Sequence, residues 1–413
     1  MLRAKLLVLI LLLLSIATQA EWTHRYPKVD GQRHHIYLES YELPILSSGP
    51  KYPAPSPNGE SIAFASHGWI WIMDLSSNVA KRITNTGDVD GRPRWSKDSR
   101  YIAFVRDSGV DSSVIVLEVS TGKSQNINTA KIDLDPEFSA DGKSIYFSSA
   151  KSGLLNIWKY NLISEDMIMI TDLDGHSRNP RLSSDGKTLF FSHLDWPKRQ
   201  VRSLNMANGN YSVLKTDSIA GQFSFDIHPN KDVSSYNWAV GDDLNITLLD
   251  AHNTDPITNL TPGRAYAQDP AWSSDGNTIY YSEPDKSQQF RLKSIPSIGG
   301  SAEQIDITNW DWGQKTARLT INTLKEDKIT PVRLSVRDAN GHPIVNPNGG
   351  SYFDSENGLY YFYSDGSLNL EVPEGEIHVT AVHGMMSMPV NHTIAVRGRT
   401  QIDIPVSEVW DAG

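Results

Sequence analysis

One eight-residue phrase returns along this chain, and its spacing constrains the fold more than any other feature. It reads Asp-Pro-x-aromatic-Ser-x-Asp-Gly and leads into a short apolar run. Asp135-Pro136-Glu137-Phe138-Ser139-Ala140-Asp141-Gly142 and Asp269-Pro270-Ala271-Trp272-Ser273-Ser274-Asp275-Gly276 are full copies, and Asn179-Pro180-Arg181-Leu182-Ser183-Ser184-Asp185-Gly186 is close to them. Weaker copies are Pro93-Arg94-Trp95-Ser96-Lys97-Asp98-Ser99, Pro55-Ser56-Pro57-Asn58-Gly59 and Phe225-Asp226-Ile227-His228-Pro229-Asn230. With Ser56, Ser96, Ser139, Ser183, His228 and Ser273 as registers, the spacings are 40, 43, 44, 45 and 45. A fixed period of this length marks a repeated supersecondary unit, and six copies predict six propeller blades. A sandwich built from similar strands does not produce six copies of one anchor.

Each copy reads as four strands. In the last blade Pro270 opens a short inner strand, where a residue need not donate to the ladder. Ser274-Asp275-Gly276 makes the hairpin turn, with Gly supplying positive φ. Thr278–Ser282, Phe290–Ile295 and Glu303–Ile307 follow as the second, third and edge strands. Second strands such as Ile62-Ala63-Phe64-Ala65 are apolar on both faces, as stacked blades require, and helical periodicity is absent. The expected fold class is all-β: a six-bladed β-propeller followed by a small antiparallel β-sandwich.

Proline, an aromatic, Ser, Asp-Gly and then an apolar strand resembles the repeat of TolB-like propellers, related to those preceding the catalytic domain of prolyl-oligopeptidase-type enzymes. The resemblance covers about residues 45–310. It departs from TolB proteins in the short stretch before the first blade, where those proteins carry a folded α/β domain, and in the added region after the last. The Tol-system role is therefore not carried over.

After Trp310-Asp311-Trp312-Gly313 the pattern changes to alternating strands with strong turns at Asn340-Gly341, Asp365-Gly366 and Arg397-Gly398. Leu368, Leu370 and Val372 share one face, as do Ile402, Ile404 and Val406, which suggests a sandwich of about ninety residues. The run from Phe362 to Gly375 is similar to the signature of transthyretin-like, carboxypeptidase-regulatory-like domains. Such a propeller and sandwich precede the metal-dependent hydrolase domain of some secreted bacterial proteins of the amidohydrolase and phosphoesterase type. By that resemblance, Val409-Trp410-Asp411-Ala412-Gly413 is a lead-in to a catalytic domain beyond residue 413.

The start of the chain bears on compartment. Arg3 and Lys5 precede the apolar run Leu6–Ile16 and a small-residue cleavage context ending at Ala20, which reads as a secretory signal peptide. There is no Cys in the chain, so no disulfide framework and no thiol chemistry are expected. A periplasmic or secreted location follows, with no membrane span after signal cleavage. The expected division is a signal peptide over 1–20, an extension over 21–44, the propeller over 45–312, the sandwich over 313–408 and a linker over 409–413. The formal net charge of −10 becomes −12 when Arg3 and Lys5 are removed, which disfavours nucleic acid as a partner.

No Gly-x-Ser-x-Gly elbow, His-Glu-x-x-His helix or phosphate loop occurs, so no catalytic residue, metal or cofactor is assigned. His34-His35 reads as surface tail. Trp69, Trp71, Trp95, Trp158, Trp238 and Trp272 fall within strand patterns and read as blade packing rather than sugar platforms. The better candidates precede the inner strands at blade spacing: Asp88, Asp90, Arg92, Asp133, Asp135, Asp174, His176, Arg178 and Gln268. Propeller topology gathers such segments at one mouth of the central channel. Several carboxylates there suit a cation or basic peptide; the bland alternative is that each Asp fixes a turn. The expected role is a non-catalytic binding or scaffolding module for a protein or peptide partner, or a small ligand, at the channel. The alternative is the accessory region of the hydrolase above.

Overall fold

In the computed structural model the described residues are 25–30, 43–195, 198–217, 224–231, 233–240, 243–250, 253–261, 266–354 and 357–407. The signal segment, His34-His35 and the 409–413 linker lie outside them. All regular structure among the described residues is strand, and no helix there is long and apolar enough to cross a membrane.

Six sheets follow one another, each adding strands outward in sequence order. Their inner strands are Lys51–Pro55, Val89–Trp95, Asp133–Phe138, His176–Leu182, Phe225–Ile227 and Gln268–Trp272. The repeated Ser-x-Asp-Gly is a local turn device. Ser139 Oγ donates to Asp141 Oδ1 at 2.6 Å and accepts from Ser144 N at 3.0 Å, while Gly142 N reaches Ser139 O at φ +69°. Ser183–Asp185 and Ser273–Asp275 repeat these bonds at 2.7 and 2.5 Å. Because the motif closes the hairpin by itself, it recurs wherever the chain must turn from inner to second strand.

Second strands bury both faces. In blade 1, Ala63 and Ala65 pack with Ile102 and Phe104 of blade 2, whereas Ile62 and Phe64 pack toward Leu292 of blade 6. Burying each large side chain contributes about 1.5–3 kcal/mol, so stacking of neighbouring blades is strongly stabilising. The ring closes between blades 6 and 1. Lys51 meets Asp269 there, and Phe290 N donates to Ser48 O at 2.9 Å. Asn309–Asp311 then adds a parallel fifth strand to the outer edge of blade 1, and Trp310 and Trp312 close on Trp71 at 4.8 and 5.2 Å.

The sandwich follows. One sheet centres on Thr316–Lys325, flanked by Ser367–Pro373 and Arg399–Pro405; the other runs Tyr352–Asp354, Leu359–Ser364, Val332–Asp338, Gly375–Val382, Val390–Val396. Leu319, Ile321, Leu370, Leu334, Val379 and Phe362 are among the side chains of its single core. The pairing of Arg399–Pro405 with Thr316–Lys325 is parallel, the one exception to the antiparallel expectation among its described pairs.

Asn340-Gly341 does not build a long hairpin; it returns the chain for the single bridge Arg337–Pro343 and delivers His342 to the propeller. The His342 ring stacks on Trp69 at 3.7 Å and 11°, with Nδ1 3.0 Å from Asp88 O and Nε2 2.8 Å from His67 O. Gly87 permits the approach, since a Cβ there would lie 2.2 Å from Asn340 O. Tyr26 adds a second tie: its hydroxyl donates to Asp107 of blade 2 at 2.9 Å, and its ring meets Phe353 of the sandwich edge-on.

Candidate functional site

The inner strands are bent at one repeated point. The residue before the recurring proline has a left-handed backbone in five blades: Tyr52 (φ 55°), Arg92 (56°), Asp135 (54°), Asn179 (53°) and Asp269 (55°). At each of these points the register with the second strand shifts. Proline therefore sits at a β-bulge inside the strand, not at its first residue as the sequence suggested, and the bulge disposes of the missing N–H. A left-handed non-glycine residue costs about 1–3 kcal/mol, a strain met mostly where a side chain must be re-aimed.

The bulged residues and their neighbours make two charged layers in the channel. In the first, Asp135 receives both Arg92 and Arg178, the latter at 3.1 Å. Lys51, wholly buried, donates to Asp269 at 2.8 Å and to Gln268. The second layer lies two residues before each register Ser: Ala54, Arg94, Glu137, Arg181, Asp226 and Ala271. There Arg94 reaches Asp226 at 3.2 Å, and Arg181 lies 3.4 Å from Asp226 and 3.8 Å from Glu137. Blades 2 and 5 stand opposite each other in a ring of six, so the Arg94–Asp226 pair spans the channel.

A cavity of about 110 Å³ lies against this septum, and Arg92, Arg94, Arg178, Arg181 and Arg199 line it against only Asp135 and Asp269. His176, His193, Leu155 and Leu194 complete the side formed by blades 3 and 4. Glu137 and Asp226 instead face a second opening of about 430 Å³, among the Ser-x-Asp-Gly turns. Burial, reinforced by Arg199, depresses the Arg178 pKa to about 9, and burial with Arg94 takes Arg181 to about 10, both still charged at neutral pH. Burial also lowers His176, and takes His193 to about 4.

Of the residues singled out in the sequence, Arg92, Asp135, His176 and Arg178 are brought together here. Gln268 stands behind them, holding Lys51. Asp88, Asp90, Asp133 and Asp174 do not line the cavity. Asp90 is fully buried and clasped by Arg106 at 2.7 and 3.0 Å. Asp133 accepts Thr129 N and Oγ1 at 2.7 and 2.8 Å, and burial raises its pKa to about 6. Asp88 is half-buried, 3.8 Å from Arg106, and Asp174 is exposed. Of the acids expected at the rim, Asp90 and Asp133 are held by Arg106 and Thr129, Asp174 is exposed, and Asp135 lines the cavity, where arginines outnumber the acids. Arg94, Arg181 and Arg199 were missed. Reading the position two before each register Ser across the six copies reveals the first two, since charges alternate there.

The profile of the TolB β-propeller domain matches residues 16–238. The chain belongs to the TolB β-propeller family. Among TolB relatives, the Tol-Pal system protein TolB of Francisella tularensis is 26% identical over 258 residues, 59% of this chain and 58% of that protein. An uncharacterized protein of Agrobacterium fabrum is 23% identical over 58% of this chain and 86% of its own length. The crystal structure of TolB from Acinetobacter baumannii is similar with a TM-score of 0.48 and 20% identity, over 61% of this chain and 64% of that one. The chain thus spans under two thirds of the length of the TolB proteins it matches.

Proposed function

We propose that this TolB-family chain is a periplasmic or secreted, non-catalytic binding module whose channel cavity receives a protein or peptide partner. The observation carrying this reading is the cavity itself: strained bulges in neighbouring blades turn charged side chains into one small chamber that the fold does not need for its cores. Strain of that kind persists where a site must be pre-organised. The similarity to proteins named for the Tol-Pal system supports a protein partner, and the secretory start of the sequence supports the compartment. The profile match ends at residue 238, before the sandwich, and lends the hydrolase-associated reading no support. Concave sites of this kind hold a partner's projecting group rather than a folded surface.

The test is site-specific photo-crosslinking in intact cells of the source organism. A crosslinker at Asp195, on the blade 4 hairpin that carries the cavity lining, should capture a discrete protein adduct. One at Lys97, beside the opposite opening, should not. Adducts from neither position, or equally from both, overturn the channel as the docking point.

A further inference from the structure

The hairpin joining Gly375–Val382 to Val390–Val396 carries side chains that the sandwich leaves unused. Its two strands give Ile377, Val379, Ala381 and Val396 to the core, but none of the three methionines between them joins it. Met385 is 102% exposed, Met386 41% and Met388 67%. Three of the chain's eight methionines thus stand in solvent within four residues. Single exposed apolar side chains need no explanation, whereas a contiguous group of them marks a surface that meets something.

A tight turn sets their placement. Ser387 N and Ser387 Oγ both donate to Gly384 O, at 3.2 and 3.0 Å. Met385 and Met386 therefore occupy the two corners of the turn, and Met388 follows directly after it. Consecutive Cα atoms are about 3.8 Å apart. Each side chain is unbranched with three rotatable bonds, so the thioethers can reach one point while the backbone stays as it is. His383, at the base of the turn, is already engaged, with its Nδ1 3.1 Å from Pro331 O.

The donor set then selects the occupant. Between His383 and Pro389 there is no carboxylate, so a hard cation such as Ca²⁺ or Mg²⁺ finds no charged oxygen ligand there. There is no Cys in the chain, so no thiolate competes for a soft ion. Neutral, polarisable thioethers favour a soft monovalent ion, and Cu(I) is the biological metal that they select.

We propose that Met385, Met386 and Met388 form a thioether site for Cu(I) on this hairpin. The site is separate from the channel, since none of the three lines either of its openings. A thioether has no proton to lose on binding, so this site holds its ion without the competition from acid that imidazole and thiolate ligands meet.

The experiment uses the mature chain, carbon-13 labelled at its methionine methyl groups, kept anaerobic with ascorbate. One equivalent of Cu(I) should shift the methyl resonances of Met385, Met386 and Met388, and Ag(I) should do the same without redox chemistry. Zn²⁺ and Mg²⁺ should leave them in place. The triple variant Met385→Leu, Met386→Leu, Met388→Leu keeps the apolar bulk that a docking patch would need. It should lose at least about tenfold in Cu(I) affinity against a chromophoric chelator, with an unchanged thermal midpoint. Read from the methyl shifts, affinity should hold within about twofold from pH 7.5 to 5.5. Methyl groups unmoved by Cu(I), moved equally by Zn²⁺, or a triple variant binding as tightly would each overturn the site. A tenfold loss on acidification overturns it in favour of imidazole ligation.

Discussion

The Lys51 ammonium lies 2.8 Å from the Asp269 carboxylate, and this buried pair spans the seam where the last blade meets the first. Burial lowers the Lys51 pKa, and the Asp269 carboxylate opposes that shift. Lys51→Met should therefore cost about 3–5 kcal/mol, because it strands a buried carboxylate. Adding Asp269→Asn should restore a substantial part. Denaturant titration of the single and double variants checks this, and a single-variant cost under about 1 kcal/mol would show that the seam is held by other contacts.

His342 gives the junction with the sandwich a pH dependence. Burial depresses its pKa from 6.5 to about 4, with Arg82 acting in the same direction and the His67 and Asp88 carbonyls opposing. His67 beside it is depressed to about 4 by burial and by His342, and Asp338 is the nearby carboxylate, accepting His342 N at 2.9 Å. A base whose folded pKa is depressed contributes stability that is complete above about pH 6.5 and lost as pH falls toward 4. That loss reaches about 3 kcal/mol for the ring. His342→Gln should cost stability at pH 7 and flatten the decline between pH 6.5 and 4. An unaltered slope in the variant would contradict this.

Asn179 tests the bulge. Its φ of 53° is accessible to Gly and to Asn but punishing for a β-branched side chain. Asn179→Gly should leave the thermal midpoint within a few degrees, whereas Asn179→Val should destabilise by about 1–3 kcal/mol. Equal effects of the two substitutions would mean that the backbone there relaxes freely.

Ser273 tests the turn. Its hydroxyl both donates to Asp275 and accepts Thr278 N, and holds the Asp275 pKa below the usual carboxylate range. Ser273→Ala should cost about 1 kcal/mol and raise the Asp275 pKa toward its ordinary value. Carboxyl NMR titration reads the second effect independently of stability.

The blade count was legible because the Ser-x-Asp-Gly turn is made of bonds within eight residues, so its sequence and its structure are the same object. The charged site was legible in part. Arg92, Asp135, His176 and Arg178 stand where the repeat places them, but the sign of the cavity is set by partners remote in sequence. Asp90 looks like a rim acid until Arg106 is seen to clasp it from the next strand. Arg199 sits on a hairpin that the repeat does not mark. Pro270 was read as a strand start because a sequence shows the missing N–H and not the left-handed Asp269 before it that absorbs the irregularity.

The Arg94–Asp226 contact between opposite blades has a mechanical consequence. On the proposed docking reading, a polypeptide entering from the arginine-lined end would meet this cross-channel pair at the base of the cavity. Because the carboxylates of that septum face the other opening and the guanidinium groups face this one, the axis has a head and a tail. The propeller is in this sense a channel with a built-in polarity.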